Sequence, residues 1–210
     1  MTQQRPKCAV LGYGSWATAI VKTLTTNHHH VDWLVLNDDI RASLERRGRN
    51  SKYLPWCDID RSLITPSPCI NSVVRDADVV FLAMPSAFLK KFLEPLTESL
   101  SDKIVVSAVK GIIPGDYLTI VEHMNRYHNV PMSNLAVVTG PSHAEEVGQC
   151  QLSYLTVAAD NMETAERVRD VLNNDFFRCS LSDDVLGVEA AAIMKNVYAL
   201  AVGIAVGLRY

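Results

Sequence analysis

Two glycines near the beginning of the chain have the spacing of a phosphate-binding turn. Gly12 and Gly14 follow the apolar run "KCAVL" and precede a stretch of helix formers in which Ala17 takes the place of a third glycine. In a strand–turn–helix unit the first glycine permits the tight turn, the second lets a pyrophosphate approach the backbone, and alanine is accepted at the third. The following helix directs free N–H groups at the phosphates. The stretch therefore predicts a site for a dinucleotide, NAD or NADP.

Lys195 and Asn196 form a polar pair within a long apolar stretch, "EAAAIMKNVYALAVGI". Burial in such a helix disfavours an ammonium ion, so we expect the pKa of Lys195 to be lowered toward the range useful for proton transfer. Beside a carbonyl that is being reduced, this lysine would donate the proton as the hydride arrives. Asn196 lies about 100° further round a helix, so both side chains can reach one cavity. The alternative is a lysine that extends to the surface or is paired inside the core.

Two further turns follow apolar strands and are expected to face the same ligand. "SAVKGI" places Lys110 after one strand, and "VTGPSHAEEV" places Gly140 and Ser142 after another, just before a helix. The carboxyl ends of parallel strands form the ligand-binding edge of such sheets. The alternatives are a solvated loop lysine at 110 and a helix-capping serine at 142, and capping is compatible with a role in binding.

Strand and helix patterns alternate along most of the chain. Apolar runs such as "ADVVFLAM" and "KIVVSAV" are typical of strands buried on both faces of a parallel sheet, and amphipathic segments such as "METAERVRDVLN" separate them. This alternation predicts an α/β fold with a Rossmann-like, doubly wound, mostly parallel sheet. We place the dinucleotide-binding domain at 1–184, with a boundary near Asp183 and Asp184.

The segment 185–210 predicts one long helix with no polar face. Its length would span a bilayer, but the charge of Lys195 is costly in lipid, which favours a helix covered by protein and no membrane span. We therefore expect this segment to be the first helix of a truncated, all-helical C-terminal substrate domain. The sequence is then the first part of a longer protein.

Composition and charge narrow the classes of function further. The 210 residues carry a formal net charge of −3, which gives no support to nucleic acid as a partner. Five scattered cysteines and a start without an apolar leader favour reduced thiols and a cytoplasmic protein. The consecutive His28, His29 and His30 cannot converge well on one ion, so we expect a solvated loop there and no metal.

The cofactor preference depends on the end of the second predicted strand, "VDWLVL". An acid there favours the free 2′-hydroxyl of NAD, and an arginine favours the 2′-phosphate of NADP. Asn37 can donate or accept and is compatible with both, while Asp38 and Asp39 are equally explained as the start of a helix. The lack of a basic residue at Leu36 and Asn37 favours NAD.

In this order, "GYGSWATAI", "KGI", "GPSHAEEV" and "AAAIMKNVYALAVGI" resemble the NAD(P)-dependent glycerol-3-phosphate dehydrogenases of the bacterial type, over essentially the whole chain. The resemblance implies interconversion of dihydroxyacetone phosphate and sn-glycerol 3-phosphate. That reaction supplies the glycerol backbone for phospholipid synthesis. We further expect a cytoplasmic enzyme that works as a homodimer.

The resemblance also implies roles for individual residues. Lys195 matches the catalytic proton donor, Lys110 a lysine shared by cofactor and substrate, and Asn196 a substrate contact. Gly140 and Ser142 would lie close to the substrate. The cofactor-binding residues that we predict are Gly12, Gly14, Ser15, Trp16, Asn37, Tyr53, Phe88, Lys110 and Ala144.

Two other functions remain open at this point. A β-hydroxyacid dehydrogenase also pairs a dinucleotide-binding domain with a lysine on the next domain's first helix, but "GPSHAEEV" argues against it. A non-enzymatic dinucleotide-binding module would keep the glycine turn but have no use for Lys195 and Asn196 at this spacing. Within the resembled family, Leu36 replaces a residue that is basic in many members, which argues against NADP.

Overall fold

A computed structural model of the chain describes residues 5–209, except the side chain of Asn196. The strands are β1 (Cys8–Leu11), β2 (Val31–Leu34), β3 (Ile64–Ser67), β4 (Val79–Leu82), β5 (Ile104–Ser107), β6 (Leu135–Thr139), β7 (Ser153–Ala158) and β8 (Phe177–Ser182). The helices are α1 (Ser15–Thr26), α2 (Asp38–Arg47), α3 (Ile70–Val74), α4 (Leu89–Leu93), α5 (Ile120–His128), α6 (Ala144–Gly148), α7 (Met162–Leu172) and α8 (Val185–Gly207).

The strands form one sheet in the order β3-β2-β1-β4-β5-β6-β7-β8. Neighbouring strands are parallel except β6 and β7, which are antiparallel. The predicted α/β fold with a Rossmann-like, mostly parallel sheet is therefore confirmed. Because β2 and β4 flank β1, the strand order reverses at β1, and the ligand crevice of such sheets opens at that point.

The central strands are apolar throughout because both faces of the sheet are covered. Val10 and Phe81 belong to the core beneath α1, whereas their neighbours Leu11 and Leu82 belong to the core on the opposite face. All four side chains are at most 1% exposed. Alternation of the side chains across a strand therefore requires apolar residues at every position.

Several elements departed from the sequence patterns. The edge strand β3 contains Pro66, which is tolerated there because an edge strand has a free side in the hydrogen-bond ladder. The segment "PSAFLKKFLEPL" has a proline near its start and helix formers after it, which favour one continuous helix. It forms instead a 3-10 turn, Ser86–Phe88, followed by the five-residue α4. Helix α4 ends at Leu93, shortly before Pro95, whose ring nitrogen cannot donate the hydrogen bond that would continue the helix.

Helix α8 begins at Val185, and its cap Asp184 accepts a hydrogen bond from the backbone N–H of Gly187 at 2.7 Å. It is long and apolar enough to cross a bilayer, and only 6% of its 18-residue apolar window is buried. Within residues 5–209, α8 is therefore largely uncovered, and its cover by a further domain stays a prediction. Its described buried residues, Val185, Glu189 and Ala192, all lie in the first half of the helix.

Candidate functional site

A cleft of about 420 Å³ opens at the carboxyl ends of the central strands. It lies between the glycine turn, the segments that follow β4 and β5, and the beginning of α6. Its lining consists of Gly14, Ser15, Trp16, Ala83, Met84, Pro85, Ala108, Lys110, Ser142, His143 and Ala144. Three of the four segments that the sequence analysis singled out as ligand-facing therefore meet here.

Gly12 brings the glycine turn against the end of β4. Its φ is +117°, and a Cβ atom at this position would lie 2.3 Å from the carbonyl oxygen of Ala83. No L-residue fits both restraints without a shift of the backbone. The carbonyl of Gly12 also accepts a hydrogen bond from Nε1 of Trp33 at 2.7 Å, which fixes the turn to the end of β2.

Gly14 differs from Gly12 because open space lies in front of it. A Cβ atom there would have no neighbour within 4 Å, and its φ of −76° is accessible to any residue. Gly14 is the N-cap of α1, and no side chain of the described residues caps this helix. The first N–H groups of α1, which lack partners within the helix, therefore face the cleft beside an unobstructed backbone.

Asn50 holds the glycine turn from behind, and the sequence analysis did not identify it. Its side chain is fully buried and donates hydrogen bonds to the carbonyl of Tyr13 at 3.0 Å and to Oγ1 of Thr18 at 2.9 Å. Its amide oxygen accepts from the backbone N–H groups of Lys52 and Tyr53. All of its hydrogen-bonding groups are used in fixing the turn relative to the loop after α2.

Lys110 extends across the cleft toward α1. Its Nζ atom lies 5.8 Å from the ring centroid of Trp16, within the range of a cation–π contact. Partial burial of the ammonium group and, second, the positive charge of Lys195 lower the pKa of Lys110. The next residue, Gly111, has a φ of +115°, and a Cβ atom there would lie 2.8 Å from Oγ of Ser86.

Lys195 lies on α8, partly buried, and its charge acts on Lys110. The two lysines with predicted chemical roles are thus close enough for the charge of one to act on the other. Because α8 is largely uncovered, the full desolvation expected around Lys195 is not present within residues 5–209. Asn196 is part of α8, but its side chain lies outside the described part of the chain.

The turn after β6 contributes unevenly to the cleft. Ser142 is buried and lines it together with His143 and Ala144, of which His143 was not predicted. Gly140 does not line the cleft. A Cβ atom at Gly140 would lie 2.7 Å from the carbonyl oxygen of Tyr154, so this glycine permits close packing on β7.

Four predicted cofactor contacts lie outside the cleft lining: Gly12, described above, and three side chains. Asn37 caps α2 by accepting a hydrogen bond from the N–H of Ile40 at 3.0 Å. Tyr53 packs edge-on against Tyr13, with ring centroids 6.5 Å apart. Phe88 is exposed at the end of the 3-10 turn after β4.

The three consecutive histidines have separate surroundings. Nδ1 of His29 lies 3.3 Å from the carbonyl oxygen of Pro6, and Nε2 of His30 lies 2.9 Å from Oγ1 of Thr65. His28 has a φ of 59° in the turn between α1 and β2. Among the residues that the structure describes, no group of three or more potential ligands has the arrangement of a metal site.

Comparisons with known proteins identify the family of the chain. Residues 7–165 match the family model described as the N-terminus of NAD-dependent glycerol-3-phosphate dehydrogenase. The glycerol-3-phosphate dehydrogenase [NAD(P)+] of Halalkalibacterium halodurans is 33% identical over 204 residues, which cover 96% of this chain and 59% of that protein. The enzyme of the same name from Bacillus mycoides is 35% identical over 206 residues, covering 96% and 60%.

Solved structures show the same fold. The glycerol-3-phosphate dehydrogenase of Plasmodium falciparum superposes with a TM-score of 0.90 at 22% identity, covering 97% of this chain and 60% of that one. That of Coxiella burnetii has a TM-score of 0.84 at 25% identity, covering 98% and 62%. The chain spans about 60% of the length of the curated relatives it matches. It belongs to the NAD-dependent glycerol-3-phosphate dehydrogenase family, whose N-terminal region its residues 7–165 match.

Proposed function

We propose that the chain is the dinucleotide-binding part of an NAD(P)-dependent sn-glycerol-3-phosphate dehydrogenase. Bound nicotinamide would supply or accept a hydride in the interconversion of dihydroxyacetone phosphate and sn-glycerol 3-phosphate. Family membership supports this reaction. One observation carries the cofactor site: the uncapped start of α1, with open space before Gly14, faces a cleft that also holds Lys110.

The glycine turn fits the pyrophosphate of a dinucleotide. Gly12 would keep the turn close to β4, and Gly14 would let the phosphates reach the backbone. The N–H groups of Ser15 and Trp16 at the start of α1 would donate to the phosphate oxygens. The positive end of the helix dipole favours the same anion.

The other proposed cofactor contacts surround this turn. Ala144, at the beginning of α6, and Lys110 line the same cleft as the glycine turn. We also assign Tyr53 and Phe88 to the cofactor. Asn37 follows β2, where the adenosine ribose binds in folds of this kind. These assignments rest on position in the fold and on the resemblance in sequence.

The neighbouring lysines suit a phosphorylated carbonyl substrate. The positive charge of Lys195 disfavours the ammonium form of Lys110, and an anion bound beside both would offset that repulsion. We assign proton donation to the substrate oxygen to Lys195 and a shared contact with cofactor and substrate to Lys110. Ser142 and Asn196 would complete the substrate contacts in this region, and Gly140, which packs on β7, would hold the turn that carries Ser142.

We also propose a domain organisation and a cellular context for the protein. Residues 1–184 would form the dinucleotide-binding domain, and 185–210 the first helix of a helical substrate domain that covers α8. The protein would act as a cytoplasmic homodimer without a nucleic-acid partner or a membrane span, and its product would feed phospholipid synthesis. Support comes from family membership, the net charge of −3 and the charge of Lys195 within α8.

Turnover by a full-length protein that contains this chain tests the proposal. We expect oxidation of NADH that depends on dihydroxyacetone phosphate and is not supported by the keto acid of a β-hydroxyacid. The Lys195→Ala variant should lower turnover by about a hundredfold or more, with NADH affinity changed only a few-fold. Lys91→Ala, which removes an exposed lysine of α4, is the matched control. Near-normal turnover of Lys195→Ala, or activity with keto acids alone, would contradict the proposal.

A further inference from the structure

We infer that an ion pair between Asp38 and Arg41 makes the proposed dinucleotide site select NADH over NADPH. The inference rests on the proposed function only in requiring that the cleft bind a dinucleotide. It concerns the segment between β2 and the first turns of α2, which lies beside the glycine turn because Trp33 in β2 donates to the carbonyl of Gly12.

Arg41 is the basic side chain that returns from α2 to the end of β2. Its Nη1 atom donates to the carbonyl oxygen of Val35 at 2.8 Å, and its Nη2 atom donates to the carboxylate of Asp38. The side chain of Arg41 is 19% exposed, whereas that of Asp38 is 88% exposed. The cation is therefore held close to the backbone, and the carboxylate is the group presented to solvent.

The pairing determines which 2′-substituent the site favours. The ribose 2′-hydroxyl of NADH can donate a hydrogen bond to the exposed carboxylate of Asp38, whose second oxygen is not engaged by Arg41. The 2′-phosphate of NADPH would meet that negative charge first. To reach Arg41 it would have to displace Asp38 from the guanidinium group. An arginine by itself favours NADPH, but here the carboxylate of Asp38 in the same helix neutralises the charge of Arg41.

Neighbouring residues do not offset this arrangement. Leu36 is an exposed apolar side chain directly after β2 and offers a phosphate no charge. The carbonyl oxygen of the Asn37 side chain is already used in capping α2. Asp39 adds a second exposed carboxylate in the first turn of α2, without a bond to Arg41 among the described contacts.

The test compares NADH with NADPH, which differ only in the 2′-phosphate, by titrating the chain and following nicotinamide fluorescence at equilibrium. We expect NADH to bind the unaltered chain about tenfold more tightly than NADPH, the size of one charge-assisted hydrogen bond at an exposed site. Asp38→Ala should remove most of this preference or reverse it, because Arg41 becomes available to the phosphate. Arg41→Ala should increase the preference for NADH.

Asp39→Ala is the matched control, since it removes the same charge from the same turn and leaves the Asp38–Arg41 pair in place. We expect it to change the affinity ratio less than twofold. Tighter binding of NADPH by the unaltered chain, or equal effects of Asp38→Ala and Asp39→Ala on the ratio, overturns the inference but leaves the dehydrogenase proposal standing. If neither dinucleotide binds, the proposed site itself is wrong.

Discussion

Substitution is predicted to affect mainly the stability of the fold at Gly12 and mainly the binding of NADH at Gly14. Gly12→Ala places a methyl group 2.3 Å from the Ala83 carbonyl oxygen at a φ of +117°. The left-handed backbone and the clash together should lower the free energy of unfolding by at least about 2 kcal/mol. For a chain of this size that corresponds to a melting temperature lower by roughly 5 °C or more.

Gly14→Val should leave the fold nearly unchanged and abolish binding. Its backbone conformation is allowed for valine, and nothing lies within 4 Å of the new Cβ atom. We expect the free energy of unfolding to stay within about 1 kcal/mol, since the loss of glycine freedom in the unfolded chain offsets a poorer N-cap. The side chain would occupy the space proposed for the pyrophosphate, at the cost of at least two charge-assisted hydrogen bonds, or about a hundredfold in affinity.

Thermal unfolding and NADH titration of the same preparations measure both effects. The reasoning requires that stability falls for Gly12→Ala and affinity falls for Gly14→Val. A folded Gly14→Val variant that binds NADH with unchanged affinity would refute the placement of the phosphates. A Gly12→Ala variant with an unchanged melting temperature would refute the packing argument for the turn.

Three further predictions concern features outside the glycines. Asn50→Ala should weaken NADH binding several-fold and lower the free energy of unfolding by about 1 to 3 kcal/mol, because buried partners lose their hydrogen bonds. The comparison is Asn71→Ala in α3, whose side chain accepts an exposed hydrogen bond from the backbone N–H of Thr97. Burial and, second, the charge of His128 lower the pKa of His123. The free energy of unfolding should therefore be highest above about pH 6.5 and should fall as the pH drops toward the pKa of His123 in the folded chain. His123→Asn should flatten this dependence in thermal melts. The chain alone should associate through α8, where Leu200 and Val206 are each 67% exposed. Light scattering should show this association, and the double variant Leu200→Ser, Val206→Ser should reduce it. A monomeric unaltered chain at high concentration would contradict the prediction.

Apolar runs and the alternation of strand and helix patterns were sufficient to predict much of the fold. The apolar runs of β1, β4 and β5 predicted buried parallel strands, and every position in these strands is buried in the structure. The edge strand β3 could not be found in this way. It contains Pro66, is only partly buried and has no alternating pattern.

A site residue could be predicted from the sequence where its type alone permits a special backbone conformation or supplies a charge. Gly12 and Lys110 are examples, since both lie where a strand ends. Asn50 and Arg41 were missed because their roles depend on partners distant in sequence or on a side chain that folds back over its own helix. Composition carries no signal for either contact. Gly140 was assigned to the substrate, but its described contacts are with β7.

Backbone amide chemical shifts of the chain during titration with NADH test the central claim most directly, because they locate the ligand without requiring turnover. The account predicts that the largest changes occur at Gly14, Ser15 and Trp16, with smaller ones near Lys110 and Ala144. The same titration of Gly14→Val should show none of them. Saturable changes confined to other parts of the chain, with the start of α1 unaffected, would contradict the account.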